Sequence, residues 1–221
     1  MRLKGVYPRD LNSSRQTVVL CLIDSSGSMR YYVRAMEQAL ERFKENLMKS
    51  PEHDEIIVNI VPFTHYIRDN EFTTIENMPT DYRAEGGTAL YDAIVYGRER
   101  LNSYLEELRT GGITAKGIMV VFSDGYDENS TKYTEVEATK AIEALQSRDD
   151  GNIVGFVSFG DEARGIAEEL HVRKENIWNT DATFENLFEC FEVISNSVST
   201  VSRRVDFTSK EESGILFYDV L

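Results

Sequence analysis

Two cysteines in 221 residues are too few for a disulfide framework, and the chain contains no Cys-His cluster with zinc spacing. Cys21 lies in a run of branched apolar residues and Cys190 in a helical pattern, so both read as small buried hydrophobes. Cations are scarce too. The 24 lysines and arginines face 38 acidic residues, a formal net charge of −14, which argues against a phosphate backbone or an anionic membrane surface as partner. No segment reaches the roughly 20 apolar residues of a membrane span. The basic start at Met1 to Lys4 is followed by no apolar stretch of signal-peptide length before Arg15. The cytoplasm is therefore the expected location. Histidine occurs three times and a P-loop not at all, which leaves little of the usual equipment for phosphoryl chemistry. Internal repeats and low-complexity segments are also missing.

What the chain does have is a regular alternation of strands and helices, the pattern of parallel crossovers. Val18 to Ile23, Ile56 to Phe63, Gly117 to Phe122 and Ile153 to Phe159 read as strands buried on both faces. Two shorter strands are expected, an edge element near Glu71 to Ile75 and a brief one at Asn176 to Trp178. Helices are expected over Tyr32 to Met48, from Ala89 through Leu108, over Tyr133 to Ser147, over Ala163 to Leu170 and over Phe184 to Val201, with Thr183 as a cap for the last. The fold class that follows is α/β, a doubly wound, mostly parallel Rossmann-like sheet with helices on both faces. Residues 17–202 form one domain, between an N-terminal extension at 1–16 and a C-terminal tail at 203–221.

Two strands end on aspartates. The first delivers Asp24 and opens the string Asp24-Ser25-Ser26-Gly27-Ser28, and the Gly117 to Phe122 strand leads into Ser123-Asp124-Gly125. Between them lies Glu85-Gly86-Gly87-Thr88, at the head of a helix. Parallel strands put both aspartates on one edge of the sheet, the edge where open α/β sheets bind ligands. The inventory there is Asp24, Ser26, Ser28, Thr88 and Asp124, all oxygen donors. Such a set suits Mg²⁺, with Mn²⁺ or Ca²⁺ as substitutes. The competing reading is that Ser26 and Ser28 only cap the next helix, which leaves Thr88 and Asp124 unexplained.

This ordered triple resembles the metal-ion-dependent adhesion site of the von Willebrand factor type A family, which has Asp-x-Ser-x-Ser, then a distant Thr, then a distant Asp. All five positions are present, and the resemblance covers residues 17–202. It implies a Mg²⁺ held by Ser26 and Ser28, by Thr88 directly or through water, and by Asp24 and Asp124 largely through water. The sixth position would take a carboxylate from a partner protein. The loop Tyr126-Asp127-Glu128-Asn129-Ser130 is similar to that of stand-alone bacterial members.

Around the metal, the expected partner-binding rim is Arg30, Tyr31, Tyr82, Arg83, Glu85, Tyr126, Asp127 and Glu128, since Tyr and Arg most often anchor interfaces. The function implied is a metal-dependent module that captures a partner's Asp or Glu. A subunit of a chelatase or ring-ATPase complex is the alternative. A Mg²⁺-dependent hydrolase is a third reading, for which His65, just past the second long strand, would be the base. No catalytic residue is assigned. The apolar tail Ile215 to Leu221 is either a strap over its own domain or a docking segment for a partner or a second copy, from which Asp219 or the terminal carboxylate could reach a metal.

Overall fold

Each long strand is mostly apolar on both of its faces, Asn59 of the second being a buried polar exception, so each can supply two cores at once. In the computed structural model, which describes residues 5–147, 152–181, 183–203 and 216–217, this is realised by β1 (Arg15–Asp24), β2 (Ile56–Phe63), β4 (Thr114–Ser123) and β5 (Ile153–Phe159). The sheet is completed by β3 (Thr73–Thr74) and β6 (Ile177–Thr180). Strand order is β3-β2-β1-β4-β5-β6, parallel except for antiparallel β3. The expected edge element at Glu71 to Ile75 shrinks to two residues. Asp69, which precedes it, instead takes hydrogen bonds from Asn59 and Arg100, and Glu71 has a left-handed backbone that breaks the strand.

Because side chains alternate along a strand, Val19, Cys21 and Ile23 face one core and Val18, Leu20 and Leu22 the other. The first core is covered by α1 (Val33–Met48) and α5 (Phe184–Arg203), which present Met36, Leu40, Phe43 and Leu47, and Leu187, Phe191, Ile194 and Val198. The ring of Phe191 stacks on Phe122 of β4 at 4.8 Å between centroids. On the opposite face lie α2 (Leu90–Thr110), α3 (Glu135–Leu145) and α4 (Asp161–Glu169). The doubly wound architecture is thus as expected. Thr183 does cap α5, its hydroxyl accepting the Asn186 N–H at 3.2 Å.

Cys21 and Cys190 are free and fully buried in the first core. Burial pushes the Cys21 thiol up to about 12, and that of Cys190 well above its ordinary value, which keeps both as unreactive thiols. A thiol reagent is therefore expected to label neither in the folded protein and both after denaturation. Mass spectrometry of iodoacetamide-treated samples checks this.

Of the tail, residues 204–215 and 218–221 lie outside the described residues, including Asp219 and the terminal carboxylate. Leu216 and Phe217 are buried in the domain's own first core. The Leu216 N–H donates to Asn176 Oδ1 at 2.7 Å, the Ser197 hydroxyl donates to the Leu216 carbonyl, and Phe217 meets Trp178 edge to face. Leu216 fills the space that any side chain on Gly155 would need. These contacts make the pair a strap. Replacing Leu216 by Ala should cost about 3 kcal/mol and lower Tm by about 8 °C, readable by thermal unfolding.

Candidate metal centre

Strand order reverses between β1 and β4, and both strands end at that point. Ile23 pairs with Phe122, so Asp24 and Ser123 emerge side by side and Asp124 follows at once. Asp24 is fully buried. Its Oδ1 accepts the Ser26 N–H at 2.9 Å and its Oδ2 accepts the Ser123 hydroxyl at 2.9 Å. Burial, partly offset by these hydrogen bonds and reinforced by the charge of Asp124, raises the Asp24 carboxyl from 3.8 to about 6. Asp124 is half-buried and close enough to act on it.

The Ser26 and Ser28 hydroxyl oxygens stand 2.9 Å apart. Neighbouring ligand oxygens of an octahedral Mg²⁺, each about 2.05 Å from the ion, would be about 2.9 Å apart. The pair, hydrogen-bonded to each other here, has the spacing of two neighbouring positions around such an ion. Both Asp24 oxygens are already engaged, which suits an aspartate that acts through water rather than by direct bonding.

Thr88 is brought to this place by its backbone. The Gly27 N–H donates to the Gly86 carbonyl at 2.9 Å and the Glu85 N–H to the Ser25 carbonyl at 2.7 Å, which ties the Thr88 loop to the Asp24 loop. On its other side the Thr88 carbonyl accepts the N–H groups of Glu128 and Asn129, and the Thr88 N–H donates to Asn129 Oδ1 at 3.0 Å. Gly87 is required by this clasp, because a Cβ there would collide with the Asn129 amide. Gly87→Ala should therefore break the Asn129 bond to Thr88 and weaken metal uptake several-fold, as a Mg²⁺ titration by calorimetry would show.

Three residues of this architecture escape sequence reading. Ser123 belongs to a recognised string, but its bond to Asp24 depends on strand pairing. Asn129 clasps Thr88. Asp92, in the first turn of α2, accepts the N–H groups of Thr131, Lys132 and Tyr133 at 2.9 to 3.4 Å and so anchors the loop that follows Asp124. The available signal was an acid in a helical first turn, which does not say what it holds.

The rim needs two corrections. Tyr82 is 1% exposed, packed in the first core with its hydroxyl donating to the Asp24 carbonyl. Burial beside Asp24 pushes its phenol well above the usual range, so it remains a neutral donor that braces the Asp24 loop. Asp127 is engaged in structure: its carboxylate accepts the N–H groups of Tyr91 and Ser130 and the Ser130 hydroxyl, linking the loop to the start of α2. Arg30, Tyr31, Arg83, Glu85, Tyr126 and Glu128 are exposed as expected, Tyr31 by 92%. His65 lies on the same edge, its ring edge-on to Tyr66 and packed against Gly86. One other trio among the described residues, His53, Asp54 and Glu76, has potential ligand atoms within 4.8 Å of each other. His53 and Asp54 precede β2 and Glu76 follows antiparallel β3, which puts the trio at the opposite edge of the sheet.

The family model of the von Willebrand factor type A domain matches residues 19–171, more than half of the chain. This chain belongs to that family. Comparison with curated proteins gives no match. Among solved structures, the pilus adhesin SpaC from Lactobacillus rhamnosus GG in its open conformation superposes with a TM-score of 0.67 at 13% identity, covering 86% of this chain and 30% of that one. The vWF domain of the type V pili tip protein Mfa5 from Porphyromonas gingivalis gives 0.64 at 11% identity over 86% and 97%. A von Willebrand factor type A protein from Catenulispora acidiphila gives 0.59 at 18% identity over 84% and 43%. At these identities the likeness is one of fold. Among the described residues, no helix is long and apolar enough to cross a membrane.

Proposed function

We propose that the chain is a protein-binding module that captures an acidic side chain of a partner through Mg²⁺ held by Ser26, Ser28 and Thr88, with Asp24 and Asp124 acting through water. The observation that carries this reading is the Ser26 and Ser28 hydroxyl pair at 2.9 Å, beside an Asp24 whose two oxygens are already engaged. Bound there, the ion would supply an electrophilic position for one more oxygen, because neutral hydroxyls cancel little of its charge.

The protein's own part is to hold the oxygens and fix the loops. The Asp24 carboxylate orients the Ser26 amide, the Thr88 loop is clamped from both sides, and Tyr82 supports the floor. Metal alone should bind weakly, since Mg²⁺ dehydrates reluctantly and hydroxyls are poor compensation. Metal and acidic ligand should then raise each other's affinity by the same factor. No observation favours the hydrolase reading, and His65 is engaged with Tyr66 and Gly86. Nor does the geometry single out a chelatase or ring-ATPase assembly. A cytoplasmic location remains our reading, with which two buried, unpaired cysteines are compatible. A stand-alone bacterial protein remains our reading of the loop after Asp124.

Affinity capture from cell extract tests this directly. A partner retained with Mg²⁺, released by EDTA and absent from an Asp24→Ala bait is the expected result. Association that ignores EDTA would overturn the reading.

A further inference from the structure

A cavity of about 240 Å³ opens on the β2 side of the candidate metal centre, lined by Ser25, Thr64, Tyr66, Arg68, Arg83 and Glu85 among others. Its walls are the segments that build the centre. Ser25 lies between Asp24 and Ser26, its N–H donates to the Phe63 carbonyl, and its carbonyl accepts the Glu85 N–H. The Thr64 carbonyl accepts the N–H of Ala89, the neighbour of Thr88. Metal centre and cavity are therefore built on adjoining, hydrogen-bonded segments.

The charge of this cavity runs against that of the chain. Two guanidiniums face one carboxylate, Glu85, in a protein of net charge −14. Arg68 is held by its N–H to the Pro62 carbonyl at 3.0 Å, and its ion-pair contact with Asp81 is long, at 4.0 Å. Among the described residues Arg83 forms no ion pair. Some arginines elsewhere are matched closely, Arg100 with Asp69 and Glu71 at 2.9 and 2.7 Å and Arg15 with Glu55 at 3.0 Å, whereas neither guanidinium of this cavity has a carboxylate at such a distance. Under-matched guanidiniums lining a cavity offer the planar donor fork that a carboxylate accepts.

We propose that this cavity seats a second acidic side chain of the same partner, so that the module recognises a two-acid segment, one carboxylate at the metal and the next at Arg68 and Arg83. The inference rests on the metal-capture reading and assigns the specificity of that site.

The test uses acetylated, amidated Gly-Ser peptides carrying either one Asp or that Asp with a Glu one, two or three residues further on. Affinities are measured by NMR titration with saturating Mg²⁺ and again in EDTA. The best two-acid peptide should bind about tenfold more tightly than the one-acid peptide. That ratio should fall towards one in Arg68→Gln and Arg83→Gln, rise in Glu85→Gln, and shrink as salt is added. Unchanged ratios in the double Arg68→Gln, Arg83→Gln protein, or equal affinities in the wild type, would overturn the second seat while leaving Mg²⁺-dependent capture standing. Binding that persists in EDTA but depends on the arginines would support the seat and overturn metal capture. Binding of neither peptide would overturn both.

Discussion

Asp24→Asn should abolish the stabilisation that Mg²⁺ confers while leaving the metal-free protein as stable as the wild type at pH 8, or more so. The two halves come from one cause. Asp24 is fully buried and its carboxyl is raised from 3.8 to about 6, so keeping it ionised costs folding energy when no cation is present. A shift of that size corresponds to about 3 kcal/mol. The contribution of a carboxyl raised in this way is fully present below its unfolded value near 4 and is lost as pH rises through about 6. In EDTA, the wild type should therefore lose stability across that window relative to Asp24→Asn. Asparagine keeps the Oδ1 acceptor for the Ser26 N–H, and the Ser123 hydroxyl can turn to accept from the new amide. With Mg²⁺ the order reverses, because the wild-type charge now has a counterpart. Protons and metal compete for the same carboxylate, so Mg²⁺ uptake should weaken below about pH 6. Thermal unfolding of both proteins at several pH values, with and without Mg²⁺, reads all of this.

Asp92→Ala is expected to be the most destabilising single change near the site. The Asp92 carboxylate takes three successive backbone N–H groups from Thr131 to Tyr133, and its own N–H donates to the Ser130 hydroxyl. Removing it leaves partly buried donors unpaired, at a cost of about 3 kcal/mol, or about 8 °C in Tm. The same loop carries Asn129, which clasps Thr88, so metal uptake should weaken as well. Asp92→Asn, which keeps one acceptor oxygen, should lie between. An Asp92→Ala protein that melts with the wild type would show that the loop is held by other contacts.

The contrast between these two aspartates shows which parts of the site could be read from sequence. Asp24 was visible because a buried parallel strand delivers its next residue to a known edge, and the serines two and four positions on needed only a turn. Asp124 follows by the same logic. Asp92 and Asn129 act across about 40 residues of sequence, and nothing local marks the landing point of a loop. Tyr82 was misplaced for a related reason. Its neighbours Asp81 and Arg83 are polar and the segment lacks periodicity, so it read as exposed loop. The phenol instead buries its ring beside the Asp24 loop and satisfies its hydroxyl on a main-chain carbonyl. Asp127 looked like a free acid but serves to fasten the loop to α2. Strand and helix placement succeeded where one face or both were continuously apolar. It was least exact at β3, which lies within the expected edge segment but pairs only Ile57 with Thr74 and Val58 with Thr73 and leaves almost no pattern to read.

Anomalous diffraction from a crystal grown with Mn²⁺ puts the question to the site itself. One strong peak bonded to the Ser26 and Ser28 hydroxyl oxygens, with Thr88 and Asp124 in its surrounding shell, is the result expected. Density for manganese only at His53, Asp54 and Glu76, or none at the carboxyl edge of β1 and β4, would contradict the account.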